Sequence, residues 1–231
     1  MYVLYQFNND YYKIVITFFG KRDMKLQISF DLIDLDKAIA IGLEVAQYAD
    51  IIEIGTILIY HHGITAVKRF KEAFPDKVIL ADTKIVDRGK EIIELFADAG
   101  VDWITVMAGT SHHVIHATTT AAHSANVKVM IDLIDSQSIG QSALEAKNLG
   151  ADALLFHQPY SETESLVFLD KWDMIKGNTN LPIFVSAKIN RNNVDKIVAL
   201  RPDVIVVGLS ITDAEDAAQE AQYFAELVDR F

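Results

Sequence analysis

Eight short apolar runs rich in β-branched residues, each followed by a longer amphipathic stretch, and no glycine-rich turn after the first run, predict a closed (β/α)8 TIM barrel for this 231-residue chain. Strand, helix, strand at this spacing means parallel strands joined by crossover helices. Eight units over roughly 200 residues fit the small end of the barrel's size range. An open doubly wound sheet would carry a glycine-rich fingerprint after its first strand; here that strand is followed by Asp31-Leu32-Ile33-Asp34. The strand candidates are 26–31, 51–56, 78–82, 103–107, 127–133, 153–157, 183–187 and 204–208. The helical stretches are 36–49, 61–74, 89–99, 111–125, 138–149, 163–177, 191–200 and 213–230. Asp36 and Ser138 are candidate N-caps, Gly100 and Gly150 follow two helices, and Pro75 and Pro202 end two others.

Composition narrows the function classes. With 51% hydrophobic residues and 4 prolines the chain can bury a large core. It has no cysteine, so disulfides, thiolate metal sites and cysteine nucleophiles are excluded, and a reducing cytoplasm fits best. A formal net charge of −11, without a Lys/Arg cluster interleaved with aromatics, argues against nucleic acid and anionic membrane as partners. Residues 1–23 are aromatic-rich. Their apolar core, Ile14 to Phe19, is too short for a membrane span, and the Lys21-Arg22 that follows is in the wrong order for a secretory signal. They are read as an N-terminal extension, Met24 as an alternative start, and 24–231 as one barrel domain.

The most informative stretch is Asp82-Thr83-Lys84-Ile85-Val86-Asp87, where an apolar strand gives way to a helix. Strand side chains alternate faces, so Asp82 and Lys84 share one side and Thr83 takes the other. A plain strand-to-helix turn, with Asp87 as N-cap and Lys84 paired to Asp82, is the alternative. The rest of the chain tips the balance. Active sites of such barrels lie at the C-terminal strand ends, and five strands carry an ionisable residue there: Asp31, Glu53, Asp82 with Lys84 beyond it, Asp132 and His157. Burying charge in apolar strands costs several kcal/mol per group unless it is paired or metal-bound. Three converging carboxylates without thiolates suit Mg²⁺. His157 is the natural proton-transfer group. The other six histidines fall in or at the starts of helical stretches and read as solvated or capping residues.

On these residues the chain from Met24 onward resembles the 3-hexulose-6-phosphate synthases of the orotidine-monophosphate-decarboxylase-like barrel superfamily. The resemblance rests on the Asp-x-Lys-x-x-Asp at Asp82, Lys84 and Asp87, on Met24-Lys25-Leu26-Gln27 leading to Asp31, on Ile52-Glu53-Ile54-Gly55-Thr56, on Thr105-Val106-Met107-Ala108-Gly109 and on Asp132-Leu133-Ile134. It implies that Glu53 and Asp82 hold Mg²⁺, that Lys84, Asp31 and Asp132 face the substrate, that His157 moves protons, and that Asp87 crosses into a partner's site in a homodimer. The implied reaction joins a sugar phosphate, ribulose 5-phosphate, to a small aldehyde, formaldehyde, by aldol condensation. The related 3-keto-L-gulonate-6-phosphate decarboxylases share the barrel and the hexad, but typically have Glu at the position of Asp132 and Arg at that of Gln158.

The resemblance thins on the phosphate side. Where family members have glycine-rich turns after strands seven and eight, this chain has Ser186-Ala187-Lys188 and Gly208-Leu209-Ser210. Lys188 either supplies by charge what backbone amides supply elsewhere or is a solvated rim residue, and Ser186 or Ser210 would add hydroxyl donors. This departure sets a non-catalytic sugar-phosphate-binding barrel beside the enzyme readings.

Overall fold

The computed structural model describes residues 3–7, 10–14, 24–159 and 171–231. Strands β1 (Val3–Phe7) and β2 (Asp10–Ile14) pair antiparallel as a separate two-stranded sheet. From Met24 the predicted alternation holds. The strands β3 (Lys25–Phe30), β4 (Ile51–Ile54), β5 (Val78–Ile85), β6 (Trp103–Met107), β7 (Lys128–Asp132), β8 (Ala153–His157), β9 (Ile183–Ser186) and β10 (Val204–Val207) close into one parallel barrel, β10 pairing back onto β3. The described helices are α1 (Leu35–Val45), α2 (Thr56–His62), α3 (Ile64–Ala73), α4 (Gly89–Asp98), α5 (His112–Ser124), α6 (Ile139–Ala146), α7 (Trp172–Lys176), α8 (Val194–Val198), α9 (Leu209–Thr212) and α10 (Ala217–Val228).

Two cores follow from the strand period of two. One set of alternate residues, including Ile52, Ile79, Ile104, Val129, Leu154, Val185 and Ile205, packs outward against the helices. The other fills the barrel: Ile51, Leu80, Met130, Ala153, Leu155, Phe184, Val204 and Val206, with Trp103 against them. Both faces are covered, which is why these strands read as near-continuous apolar runs. Toward the C-terminal ends the inward set turns polar, with Glu53, Asp82, Thr105 and Asp132 buried there, and β3 also carries buried Gln27 and Ser29.

Several boundaries differ from the sequence-based reading for local reasons. The stretch 61–74 is two helices, because Gly63 adopts φ +57°, ψ −143° and breaks them, and the first already begins at Thr56. Asp34, not Asp36, caps α1, its Oδ1 accepting the Lys37 N–H at 3.0 Å; Asp36 instead pairs with Arg69 at 2.8 Å. Ser138 holds the cap position of α6 without a side-chain hydrogen bond to it. Of the helix expected over 163–177, residues 163–170 lie outside the described residues, and α7 accounts for the rest. No helix among the described residues is long and apolar enough to cross a membrane.

The N-terminal face carries a clasp repeated every second strand. Asp50, Asp102, Asp152 and Asp203 each precede a strand, and each makes two bonds to one residue of the strand before it. Their N–H groups donate to the carbonyls of Leu26, Ile79, Val129 and Ile183 at 2.8–3.0 Å. Their Oδ2 atoms accept the N–H of those same four residues at 2.8–2.9 Å. Removing one carboxylate leaves a strand N–H without its acceptor, at a cost of about 1–3 kcal/mol. Asp203→Ala is therefore expected to lower the thermal midpoint by about 3–8 °C. Asp203→Asn retains an acceptor oxygen and should lose less; equal losses in a thermal melt would rule the clasp out as the cause.

Candidate active site

At the C-terminal mouth, β5 departs from regular pairing. Ala81 pairs with Ile104 and Ile85 with Val106, so the strand bulges between them, and Lys84 takes a left-handed φ of +46°. The bulge keeps Asp82 and Lys84 on the inner side, as the alternation predicted. Lys84 Nζ lies 3.0 Å from Asp82 Oδ2 and 2.8 Å from Asp132 Oδ2, bridging β5 to β7 across β6. His157 Nδ1 lies 3.0 Å from the same Asp132 oxygen.

Asp82 is held by both oxygens: Thr105 Oγ1 donates to Oδ1 at 2.8 Å, and Thr56 Oγ1 to Oδ2 at 2.7 Å. Glu53 is buried below, its Oε2 accepting from Gln27 Nε2 at 2.5 Å. Asp31 sits at the rim, one flank open to water and the other crowded by protein, with Oδ1 accepting the Ile57 N–H at 3.2 Å. It reaches over Gly55, where a Cβ would lie 2.2 Å from Asp31 Oδ1, so only glycine permits this approach.

Electrostatics divide the group in two. Burial, then the neighbouring Asp82 and Asp31, push the Glu53 carboxyl up to about 8. Asp31 is raised as well, by crowding and by Asp82, against the lowering effect of the Ile57 N–H. On the other side, burial disfavours charge on Asp132, but the hydrogen bond and charge of His157 and the Lys84 ammonium outweigh it and hold the carboxyl below its usual range. Burial likewise works against the Lys84 ammonium, and Asp82 and Asp132 outweigh it, so its pKa is raised. An ionised Asp132 can only accept, so His157 Nδ1 carries its proton toward it and Nε2 is the free ring nitrogen. Asp132 adds stability that is complete above its unfolded value near 4. That stability is lost as pH falls through the depressed folded value. His157→Phe should therefore flatten acid unfolding below about pH 4; an unchanged acid limb in a pH-dependent urea melt would contradict this.

Of the predicted site residues, Asp31, Glu53, Asp82, Lys84, Asp132 and His157 are brought together, and Ser186 pairs with His157 on the adjacent strand. Gly208 follows β10 beside Ser29. Ser210 stands differently from expectation, Lys188 takes the rim position that is one of its two readings, and Asp87 lacks the capping role of the plain-turn alternative. Ser210 is not a free donor, because its hydroxyl donates to the Ile189 carbonyl at 2.6 Å. Lys188 is exposed on the β9 turn with φ +47°. Asp87 lies outside the central group and does not cap α4: the cap position is Arg88, and Asp87 Oδ1 accepts the Arg88 N–H at 2.8 Å.

The reading of three carboxylates as metal ligands is also narrowed, since no three His, Asp or Glu side chains among the described residues are placed to hold one ion. Glu53 and Asp82 remain. The raised pKa values of Glu53 and Asp31 mark a pocket short of positive charge, and the buried Gln27 Oε1 has no hydrogen-bond partner there. Two carboxylates with water completing the shell fit a hard divalent ion such as Mg²⁺. The remaining histidines lie in α2 and α5, away from the group; His112 pairs with Glu145 and His123 with Asp152. Gln27, Thr56 and Thr105 were not singled out as site residues from the sequence, although the inward parity of positions 27 and 105 was available.

A closed parallel barrel with an acidic, lysine-bridged mouth is the architecture of a barrel enzyme whose chemistry sits at its strand ends. The chain belongs to the Orotidine 5'-phosphate decarboxylase / HUMPS family, whose family model matches residues 24–224. The family is enzymatic. The 3-hexulose-6-phosphate synthase of Bacillus subtilis (strain 168) is 33% identical over 207 residues, covering 89% of this chain and 99% of that protein. That of Staphylococcus aureus (strain USA300) is 31% identical over 201 residues, covering 86% and 96%. Among solved structures, 3-hexulose-6-phosphate synthase from Salmonella typhimurium matches with a TM-score of 0.85 at 32% identity, over 90% of this chain and 99% of that one.

Proposed function

We propose that this barrel carries out the Mg²⁺-dependent aldol condensation of ribulose 5-phosphate with formaldehyde to a hexulose 6-phosphate. The observation that carries the reading is Lys84 bridging Asp82 and Asp132 above a buried Glu53, in a chain one-third identical to synthases named for this product. Glu53 and Asp82 would hold the Mg²⁺, which supplies stabilisation of negative charge developing on substrate oxygens.

The chain's own groups account for the remaining steps. His157 Nε2, with Nδ1–H tied to Asp132, takes the proton from the carbon beside the sugar carbonyl. Lys84, held rigid by two carboxylates, places fixed positive charge beside the oxygen that becomes anionic. The electron pair left on carbon attacks formaldehyde, forming the C–C bond, and the resulting alkoxide collects a proton. Lys188, Ser186 and the backbone at Gly208 are assigned to the phosphate. Asp132 and Gln158, at positions where the related decarboxylases have Glu and Arg, favour the synthase over the decarboxylase.

The test is direct. Purified protein with Mg²⁺ should consume formaldehyde only when ribulose 5-phosphate is present. Carbon dioxide release from 3-keto-L-gulonate 6-phosphate instead would favour the decarboxylase. Binding of a sugar phosphate without turnover of either substrate would leave a binding protein.

Asp87 is assigned to the active site of a second copy across a homodimer interface. It is exposed, and it borders a hollow of about 530 Å³ lined by residues from Thr83 to Leu95, where Val86 and Leu95 are exposed apolar side chains. If Asp87 acts in trans, mixing inactive Lys84→Met and Asp87→Asn subunits restores one intact site per heterodimer, about a quarter of wild-type activity. No recovery after mixing and re-association would place Asp87 elsewhere.

A further inference from the structure

The bulge in β5 raises a question the catalytic assignment leaves open: what holds Lys84 in a left-handed conformation that places its ammonium between two carboxylates. Once β5 leaves regular pairing with β6, the backbone groups of Thr83 and Lys84 lose their places in the ladder. Thr105, on β6 at the same level and almost wholly buried, meets them. Its Oγ1 accepts the Lys84 N–H at 2.9 Å and donates to Asp82 Oδ1 at 2.8 Å. Its carbonyl accepts from Thr83 Oγ1 at 2.8 Å. A hydroxyl has one proton and two lone pairs. With the proton committed to the carboxylate, a lone pair is free for the amide, and one oxygen fixes both the backbone of the cation and the head group of its anion.

We propose that Thr105 is a positioning residue for the reacting centre, setting the Lys84–Asp82 geometry without touching substrate. This rests on the aldol reading only for its kinetic readout. The burial of Thr105 leaves little opening for water to replace the hydroxyl. Valine has the same shape and removes both bonds at once, whereas serine keeps both and gives up only a methyl group.

The experiment compares Thr105→Val, Thr105→Ser and Thr105→Cys by steady-state kinetics per folded molecule, with ribulose 5-phosphate and formaldehyde, and by crystal structure. In Thr105→Val, kcat should fall about 10- to 100-fold, as when a residue supporting a catalytic group is lost, with KM for ribulose 5-phosphate within about threefold; Thr105→Ser should recover kcat to within about threefold. A residue serving stability alone would shift the melt and leave this split absent. If Thr105→Val does not fold, Thr105→Cys, a weaker donor of similar size, should show an intermediate loss of kcat. A kcat within about threefold of wild type in the valine or cysteine variant, or no rescue by serine, overturns the proposal. Should the wild-type protein turn over neither substrate, the aldol reading has failed and the variant crystal structures decide the positioning role. Lys84 Nζ displaced from Asp82 in the valine variant supports it, and an unmoved pair refutes it.

Discussion

Replacing Lys84 by methionine is expected to lower stability by about 3–5 kcal/mol at neutral pH, a size typical of breaking a buried ion pair by removing one partner. For a chain of this length that corresponds to a fall in thermal midpoint of roughly 10 °C. The cause is specific. Asp132 is fully buried and Asp82 nearly so, and Lys84 Nζ lies within 3.0 Å of both. Without the ammonium Asp132 keeps only the His157 Nδ1 hydrogen bond among these partners, and its carboxylate must be buried without a neighbouring cation from Lys84. The loss should therefore be largest at neutral pH and shrink as pH falls below about 4, where protonation removes the charge that needed a partner. Turnover should drop by at least about 10²–10³-fold, the range for removing a donor aimed at developing negative charge. A variant as stable as wild type across pH 4–8 would mean that the bridge carries no net stabilisation.

The second large effect has the opposite sign. Burial and the neighbouring Asp82 and Asp31 push the Glu53 carboxyl from an ordinary 4.5 up to about 8, which favours a proton there in the folded protein that the unfolded chain releases. Between those two values the folded state binds more protons, and stability falls as pH rises, by at most about 1.4 kcal/mol per pH unit. Above about pH 8 the full penalty stands, with an upper limit on the order of 3–5 kcal/mol. Glu53→Gln removes it, and should be more stable than wild type at pH 8.5 and close to it at pH 4.5. Urea unfolding at these two pH values is the check, and parallel pH dependence in the two proteins would contradict it. Mg²⁺ should stabilise wild type more at high pH than at low, because the ion competes with the proton for Glu53, and should do less for Glu53→Gln.

Much of the central site was legible in the sequence because strand periodicity is a local rule. Once 51–54 and 78–82 are read as strands, Glu53 and Asp82 follow the parity of Ile51 and Leu80 into the barrel, and the same rule brings in Asp132 and His157. What escaped depends on chemistry that alternation does not encode. Thr56 and Thr105 sit among apolar neighbours and give no charge signal, yet their hydroxyls hold both oxygens of Asp82. Ser210 read as a free donor because its acceptor, the Ile189 carbonyl, is a backbone atom that no side-chain pattern marks. The four clasping aspartates of the N-terminal face each sit directly before a strand, but the partner of each is a backbone N–H 20 to 24 positions away, visible only once the strands are paired.

By itself, the sequence determined the eight strand-helix units, the inward set of side chains and the polar character of its C-terminal end, because these follow from periods of two and 3.6 within single segments. Tertiary structure alone decided the partners: the two-residue gain of β5 over β6, the double bridge from Lys84, and the position of Asp87 outside the central group. Those depend on which strands become neighbours and in what register. Register is settled by closure of the whole barrel, whose packing energy is shared among all eight strands and belongs to no one stretch of the chain.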